Sequence, residues 1–555
     1  MNRSQLNNPS DKLLLWVLGS SVILITPMFS YDAVNIPKFM VVIIGASVAA
    51  TLLMNRRIMK VLSRQKFLFV FCCIMLIDLI LVFFFSGSNL LEQFYGADGR
   101  FVGLAAYISL VILLVYAYSV SSGHIISKIL VLIRYLGLIS SLYGILQWSG
   151  ADPVNWSNQY SPIMGFFGNP NYQSSFLGMC SVALISEIIR SEEKINRKFL
   201  FFGLVILNIF VIIGTKSIQG LIVFIVGSAA VIFLKIRSMT WKPFFSGLYI
   251  FFVSCIAITG IAGMLNHGPL SQVLHKNSVI YRGDYWRAAI RIVTEHPIFG
   301  VGFDQFGNWY RRYRDIEAVN RRGPEVVSNS PHNIFLDYAV SGGIILGSLY
   351  VCLVVITFMS ALTVIKQSKS YDVNFSFVFS VWIAYQAQSL ISVNQVGLTI
   401  WGWIFSGLLI GYKLKLENSE GNKPPKKGLE VAVKQKISPI ALLTGLTVGL
   451  CISLPLLIKD VQLRSALEKG TVQQTIQAAE KWPVNANRAA QISSFLLVKG
   501  FPSDALTLAR FSVENLPRSF VAWKTIYDSP SSSELEKINA KRMLIELDPL
   551  NPSLK

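Results

Sequence analysis

The sequence predicts an all-α, polytopic membrane bundle of about 12–13 transmembrane helices, with a large outer loop and a small helical tail. Three observations carry that expectation. Of 555 residues, 53% are hydrophobic and only 14% charged. Apolar runs recur along the chain, each long enough at ~20 residues to cross a hydrocarbon core of ~30 Å. Lys and Arg collect in alternate loops, as membrane topology requires. The runs are continuous rather than alternating, which excludes a transmembrane barrel. A helix satisfies its own backbone in lipid, so these runs are read as helices.

In order, the spans fall near 13–30, 36–54, 67–85, 101–120, 127–148, 172–189, 199–213, 218–235, 244–264, 332–360, 374–393, 396–412 and 438–458. One loop carries Arg56, Arg57, Lys60, Arg64 and Lys66, a second Arg190, Lys194, Arg197 and Lys198, and a third Lys235, Arg237 and Lys242. Lys366 with Lys369 and the 413–436 segment complete the basic set, and the loops between them, such as 149–171, are poor in Lys and Arg. The positive-inside rule then places the N-terminus in the cytoplasm, and the 149–171 and 265–331 loops outside, in a cytoplasmic (inner) membrane. Met1–Lys12 leads directly into the first span without a cleavage pattern, so no removable signal is expected.

The organisation expected is a membrane domain over 1–415 with its outer loop at about 265–331, a cytoplasmic linker over 416–437, a last transmembrane helix over 438–459 and an outer helical tail over 460–555. The tail differs in composition. Leu516-Pro517 returns loosely as Asp548-Pro549, with prolines 32 residues apart, close to the ~34-residue period of tetratricopeptide helix pairs. Degenerate helical repeats are one reading of it, an irregular helical cap the other.

The formal charge of +20 maps onto the loops that set topology, so nucleic acid is not the expected partner. The six cysteines all lie in apolar runs, which implies no disulfide framework. The outer-loop histidines at 267, 275 and 296 lack zinc-site spacing. No metal, cofactor or nucleotide loop is expected.

Chemistry concentrates between Tyr281 and Gly343, the long interruption in the membrane pattern. Ser330-Pro331-His332-Asn333 reads as a helix start in which Ser330 caps and Pro331 opens the helix. His332 then sits in the first turn, where free amides and the helix dipole disfavour an imidazolium. A histidine kept neutral suits a general base for a hydroxyl; a capping-region histidine bonded to a carbonyl is the alternative. Asn333 is a candidate to orient it or to bind substrate. Asp337 is off the face of His332, so no His–Asp dyad is expected.

Arg282, Arg287 and Arg291 fall on one expected helix, and guanidinium forks match phosphate oxygens. Arg311, Arg314 and Arg321 or Arg322 share a face if their stretch is helical. Attraction to anionic lipid head groups, or pairing with Asp284, Asp315 and Glu317, is the alternative for these arginines, and for the 311–322 run the favoured one. Gly168-Asn169-Pro170-Asn171 is a further helix start on the outer side, and a helix N-terminus attracts anions. Asn169 and Asn171 therefore join the candidates for a diphosphate pocket.

With these residues together, the chain resembles the O-antigen ligase and polymerase superfamily of bacterial membrane glycosyltransferases, over roughly residues 10–415. The resemblance rests on Gly168–Asn171, on Arg282…Trp286 with Pro297…Gly300-Val301-Gly302, and on Pro331-His332-Asn333 followed by Gly342-Gly343. It implies an inverting, metal-independent transfer of a glycan from undecaprenyl diphosphate to an acceptor hydroxyl on a lipid, protein or glycan. It implies His332 as base or acceptor-binding group and Arg282 as diphosphate ligand. The related activities are O-antigen polymerase and protein O-oligosaccharyltransferase. One departure stands out: members carry a Ser-Arg pair entering span eight, where this chain has Thr215-Lys216-Ser217-Ile218. Lys216 substitutes there as a point charge, or the chain belongs to a branch with altered donor handling. Two readings of other classes stay open, a transporter for a lipid-linked glycan and an inactive scaffold whose tail recruits a protein partner.

Overall fold

A computed structural model describes residues 9–54, 66–154, 156, 161–239, 243–368, 370–420 and 438–554. Among them, regular structure is helical throughout. Nine described helices are long and apolar enough to cross a membrane: Asn35–Leu53, Lys66–Phe85, Gly123–Trp148, Ile195–Gly214, Gln219–Ser238, Pro243–Met264, Ile334–Gln367, Val396–Leu414 and Pro439–Lys469. Four shorter or more polar helices, Pro9–Ile23, Leu104–Val120, Pro170–Ile188 and Val373–Ser389, occupy the remaining expected positions. The chain is a multi-pass helical membrane protein. Arg56, Arg57, Lys60, Arg64, Lys242, Lys369 and residues 421–437 of the expected linker lie outside the described residues.

The core forms where helices approach closely enough to dispense with side chains. Pro439–Lys469 lies against Asn35–Leu53, and Val396–Glu420 against Leu104–Val120. Glycines four apart make both contacts. A Cβ on Gly407 would lie 2.2 Å from the Leu114 carbonyl oxygen, one on Gly411 2.6 Å from that of Tyr118, and one on Gly445 2.7 Å from the Val48 Cα. Small residues at this spacing let helix backbones meet in lipid, where no hydrophobic drive holds helices together.

The helix Ile334–Gln367 is broken near its start, at Gly342 (φ −131°) and Gly343 (φ +71°). The break leaves two carbonyls for another segment: Val301 N–H donates to Val340 O (2.9 Å) and Gly302 N–H to Ser341 O (3.0 Å). Ile344 N–H returns a bond to Pro297 O at 2.8 Å. The two glycine pairs of the sequence are thus one joint, in which the Pro297–Gly302 turn is laid into the kink.

Beyond that joint the 265–331 loop folds into the helices Ser271–Leu274, Asn277–Glu295, Phe306–Tyr313 and Ile316–Arg322. Its own small core joins Tyr285, Ala288, Ala289 and Ile292 to Val301, Phe306, Tyr310 and Val340. Arg311 and Arg321 do not share one helix, because the chain turns at Arg314 and Asp315.

The last membrane helix continues past residue 459 to Lys469 with Pro455 inside it, so the tail begins as its extension. Val472–Glu480, Ala486–Val498, Pro502–Asn515, Phe520–Asp528 and Glu534–Leu547 follow, packed around two small apolar clusters. The tail rests on the outer loop and on the loop before Leu104. Arg488 pairs with Asp98, Asn89 Nδ2 donates to Asn515 O at 2.8 Å, and Arg518 stacks on Trp309 at 3.5 Å. Loop and tail therefore share one side of the bundle.

Candidate functional site

His332 stands immediately before the kinked helix rather than in its first turn. The helix begins at Ile334 and its N-cap is Asn333, whose Oδ1 accepts from Leu336 N–H at 3.1 Å. Ser330 and Pro331 therefore do not open it, a correction to the expectation from sequence. Ser330 Oγ instead accepts from His332 N–H at 3.2 Å, closing a short turn that holds His332 at φ +53°. A left-handed backbone is uncommon outside glycine and costs about 1 kcal/mol or more. Here it turns the imidazole onto the face of Tyr285, with ring centroids 5.3 Å apart and planes at 24°. Among the described residues no hydrogen bond holds either ring nitrogen.

The electrostatics around the ring are one-sided. Burial, then Arg282, Arg100 and Arg322, hold the imidazole down to about 4, so it is neutral at physiological pH. Burial and three guanidinium groups, rather than a position in the first helical turn, keep the ring neutral.

Those arginines differ in their partners. Arg282 donates from Nε to Ile391 O (3.1 Å) and from Nη1 to Ser278 O (3.1 Å); among the described residues no carboxylate pairs with it. Arg322 donates to the Tyr285 hydroxyl and lies over the rings of Tyr281 and Tyr285 at 4.3 and 5.2 Å, again without a carboxylate. Arg100 sits deeper, paired with Asp304 and 4.0 Å from Asp337. Two cations with unneutralised charge thus flank a neutral histidine.

Arg287 does not share that state. It is half exposed and bonded to both Asp284 and Asp315. Arg321 also binds Asp284, and Arg291 binds Asp315. These pairs brace the outer-loop helices against one another.

Asn169 caps Pro170–Ile188 as expected, its Oδ1 accepting from Asn171 N–H at 2.8 Å, with Pro170 opening the helix. Asn171 Oδ1 accepts from Ser217 Oγ at 2.7 Å, which joins this N-terminus to the turn entering Gln219–Ser238. Lys216 lies in that turn, exposed and at φ +59°. Gln219 Nε2 reaches the Ile391 carbonyl at 3.4 Å, the same oxygen that holds Arg282. The two helix starts and the lysine turn are thereby tied to Arg282 through one backbone group.

Sequence reasoning passed over Arg100 and Tyr285 and gave Arg322 no role of its own. A signal existed for Arg100: a lone positive charge in a loop otherwise read as outer, which the topology rule does not explain. Tyr285 carried none, because an aromatic inside an amphipathic helix reads as core.

Residues 203–351 match the family described as O-Antigen ligase. Among curated proteins none matches the chain. The matched stretch includes Lys216, Arg282, Arg322, His332 and the Gly342-Gly343 kink, and leaves Arg100, Asn169 and the tail outside it. It is through residues 203–351, which hold most of this site, that the chain is similar to the O-antigen ligase family.

Proposed function

We propose that this protein transfers a glycan from undecaprenyl diphosphate to an acceptor hydroxyl at the outer face of the cytoplasmic membrane. The observation that carries this reading is the pairing of a neutral imidazole at His332, unbonded among the described residues, with two arginines, Arg282 and Arg322, that meet no carboxylate among them. A family of glycan ligases supports the reaction class.

In this reading Arg282 and Arg322 grip the diphosphate, with Lys216 and the Asn169 and Asn171 helix start at the edge of the same pocket. His332 takes the proton of the acceptor hydroxyl as its oxygen attacks the anomeric carbon. The bond from that carbon to the diphosphate breaks, and the electron pair leaves with the phosphate oxygen. The arginines stabilise the charge that develops on the leaving group, the largest electrostatic demand of the step. Attack opposite the leaving group inverts the anomeric centre.

An imidazole near 4 is a weak base. The donor itself corrects this: its diphosphate offsets the positive field of Arg282, Arg322 and Arg100, and the proton affinity of His332 rises toward the range useful at neutral pH. The free enzyme is thus poor at deprotonating water, and the loaded enzyme is competent.

The acceptor is identified by reconstitution. Purified protein in liposomes receives lipid-linked donor from the native host, with host lipid, protein and glycan fractions in turn and chelator present. Release of undecaprenyl diphosphate with one fraction supports the reading and names the acceptor class. Donor bound but not consumed with any fraction would favour a transporter or scaffold.

A further inference from the structure

The tail ends in a buried charge cluster that reaches back to the histidine segment. Asp548 follows the helix Glu534–Leu547, and its carboxylate accepts from Arg314 Nη2 at 2.8 and 2.7 Å and from Arg311 Nη1 at 3.0 Å. Asn551 Nδ2 adds a bond at 3.2 Å. The Asp548 and Arg314 side chains are 0% and 1% exposed. The other hydrogens of the same guanidinium groups serve a different segment. Arg311 and Arg314 both donate to Pro324 O (2.9 and 2.8 Å), and Arg314 also to Val326 O at 3.3 Å. Val326 lies six residues before His332 in sequence. Nearby, Arg311 also stacks on Phe520 of the tail at 3.9 Å.

We infer that Asp548 is a positioning residue for His332, and that the tail is a strut which sets the 324–332 segment through Arg311 and Arg314. The inference rests on the catalytic reading of His332 given above. Without Asp548 the buried Arg314 loses the one carboxylate it meets among the described residues, and Arg311 keeps only a longer, 3.6 Å contact with the exposed Glu325, a strongly disfavoured state for buried charge. Without Asp548 they turn toward water and release the Pro324 and Val326 carbonyls. The segment then keeps only its short turn, in which Ser328 Oγ donates to Ser330 O and Ser330 Oγ accepts from His332 N–H. The strut is separable from docking of the tail, because Arg488–Asp98 and Asn89–Asn515 hold the tail elsewhere.

The test compares full-length, reconstituted wild type with Asp548→Asn and Asp548→Glu, by amide hydrogen exchange and by glycan transfer. Asp548→Asn is expected to speed exchange across 324–332 at least roughly tenfold, while Asn277–Glu295 and Ala486–Val498 keep wild-type protection. Transfer then falls roughly 10–10²-fold in kcat with donor KM nearly unchanged, since a displaced base costs turnover rather than binding. Asp548→Glu recovers part of both. Unchanged exchange at 324–332 overturns the strut, and so does exchange that rises equally through the whole tail. If wild type itself transfers nothing, the catalytic reading fails, while the exchange data still decide whether Asp548 orders the segment.

Discussion

Arg282 and Arg287 lie five residues apart on one helix, and only their surroundings separate a ligand from a brace. Arg282 is held by two carbonyls and meets no carboxylate among the described residues. Arg287 is bonded to two aspartates. Arg282→Ala is therefore expected to lower transfer ~10²–10³-fold, the loss typical of one donor aimed at developing charge. Arg287→Ala leaves Asp284 with Arg321 and Asp315 with Arg291, and should cost transfer only about threefold, near the effect of an exposed ion pair. Initial rates on the two variants decide this; equal losses would mean that Arg287 also binds donor. The same electrostatics give a pH dependence. His332 is held down to about 4 against an ordinary value near 6.5. The free enzyme keeps its neutral form from pH 8 to 5, so kcat/KM should stay flat there with respect to this group. For stability the sign is the reverse of a stabilising ion pair: as pH falls below ~6.5 the unfolded chain binds a proton that the folded one refuses. This group therefore makes folding less favourable between pH 6.5 and 4. Thermal melts of wild type and His332→Gln should converge above pH 7 and separate below 6, with the variant less acid-sensitive.

At the scale of elements, the joint between Gly342-Gly343 and Pro297–Gly302 explains why these glycines recur beside the histidine motif. Gly343 has φ +71°, and a Cβ there would lie 2.4 Å from the Pro297 carbonyl oxygen. Gly343→Ala combines the cost of a backbone region essentially reserved for glycine (ψ −168°), about 1–3 kcal/mol, with that backbone clash. It should detach the outer loop, read as protease cleavage within 265–331 in membranes at sites protected in wild type. Unchanged protection would show that the kink is not what seats the loop. Much of this level was legible in sequence: the helix starts at Asn169 and before Ile334, the helix bearing Arg282, and the glycine pairs as landmarks. The exact cap was not. Ser330 and Asn333 both suit an N-cap chemically, and the choice depends on a left-handed His332 held by the Ser330 turn and by packing against Tyr285. Half of Arg287's role as a brace was legible, since Asp284 lies three residues before it on one helix; Asp315, 28 residues away in sequence, comes near only when two loop helices fold together.

For the whole molecule, the thirteen apolar stretches emerge from composition alone, and the alternation of basic loops gives the expected topology. The 265–331 loop and the tail meet through the buried Arg314–Asp548 pair, so they occupy one compartment, as the four expected spans between them require. Single cysteines at Glu325 and Lys499 should both react with an impermeant maleimide added outside the membrane, whereas one at Lys198 should not. Opposite labelling of Glu325 and Lys499 would contradict the arrangement. The docking itself was beyond sequence, since a soluble-looking helical tail does not announce that Asp548 meets Arg314.

The most direct measurement is release of undecaprenyl diphosphate by reconstituted wild type and His332→Ala, at saturating donor and the best acceptor fraction. The account predicts a ~10²–10⁴-fold loss in kcat, the contribution of a general base, with donor binding retained because Arg282 and Arg322 are untouched. Release by His332→Ala at the wild-type rate would contradict it and remove His332 from the chemistry.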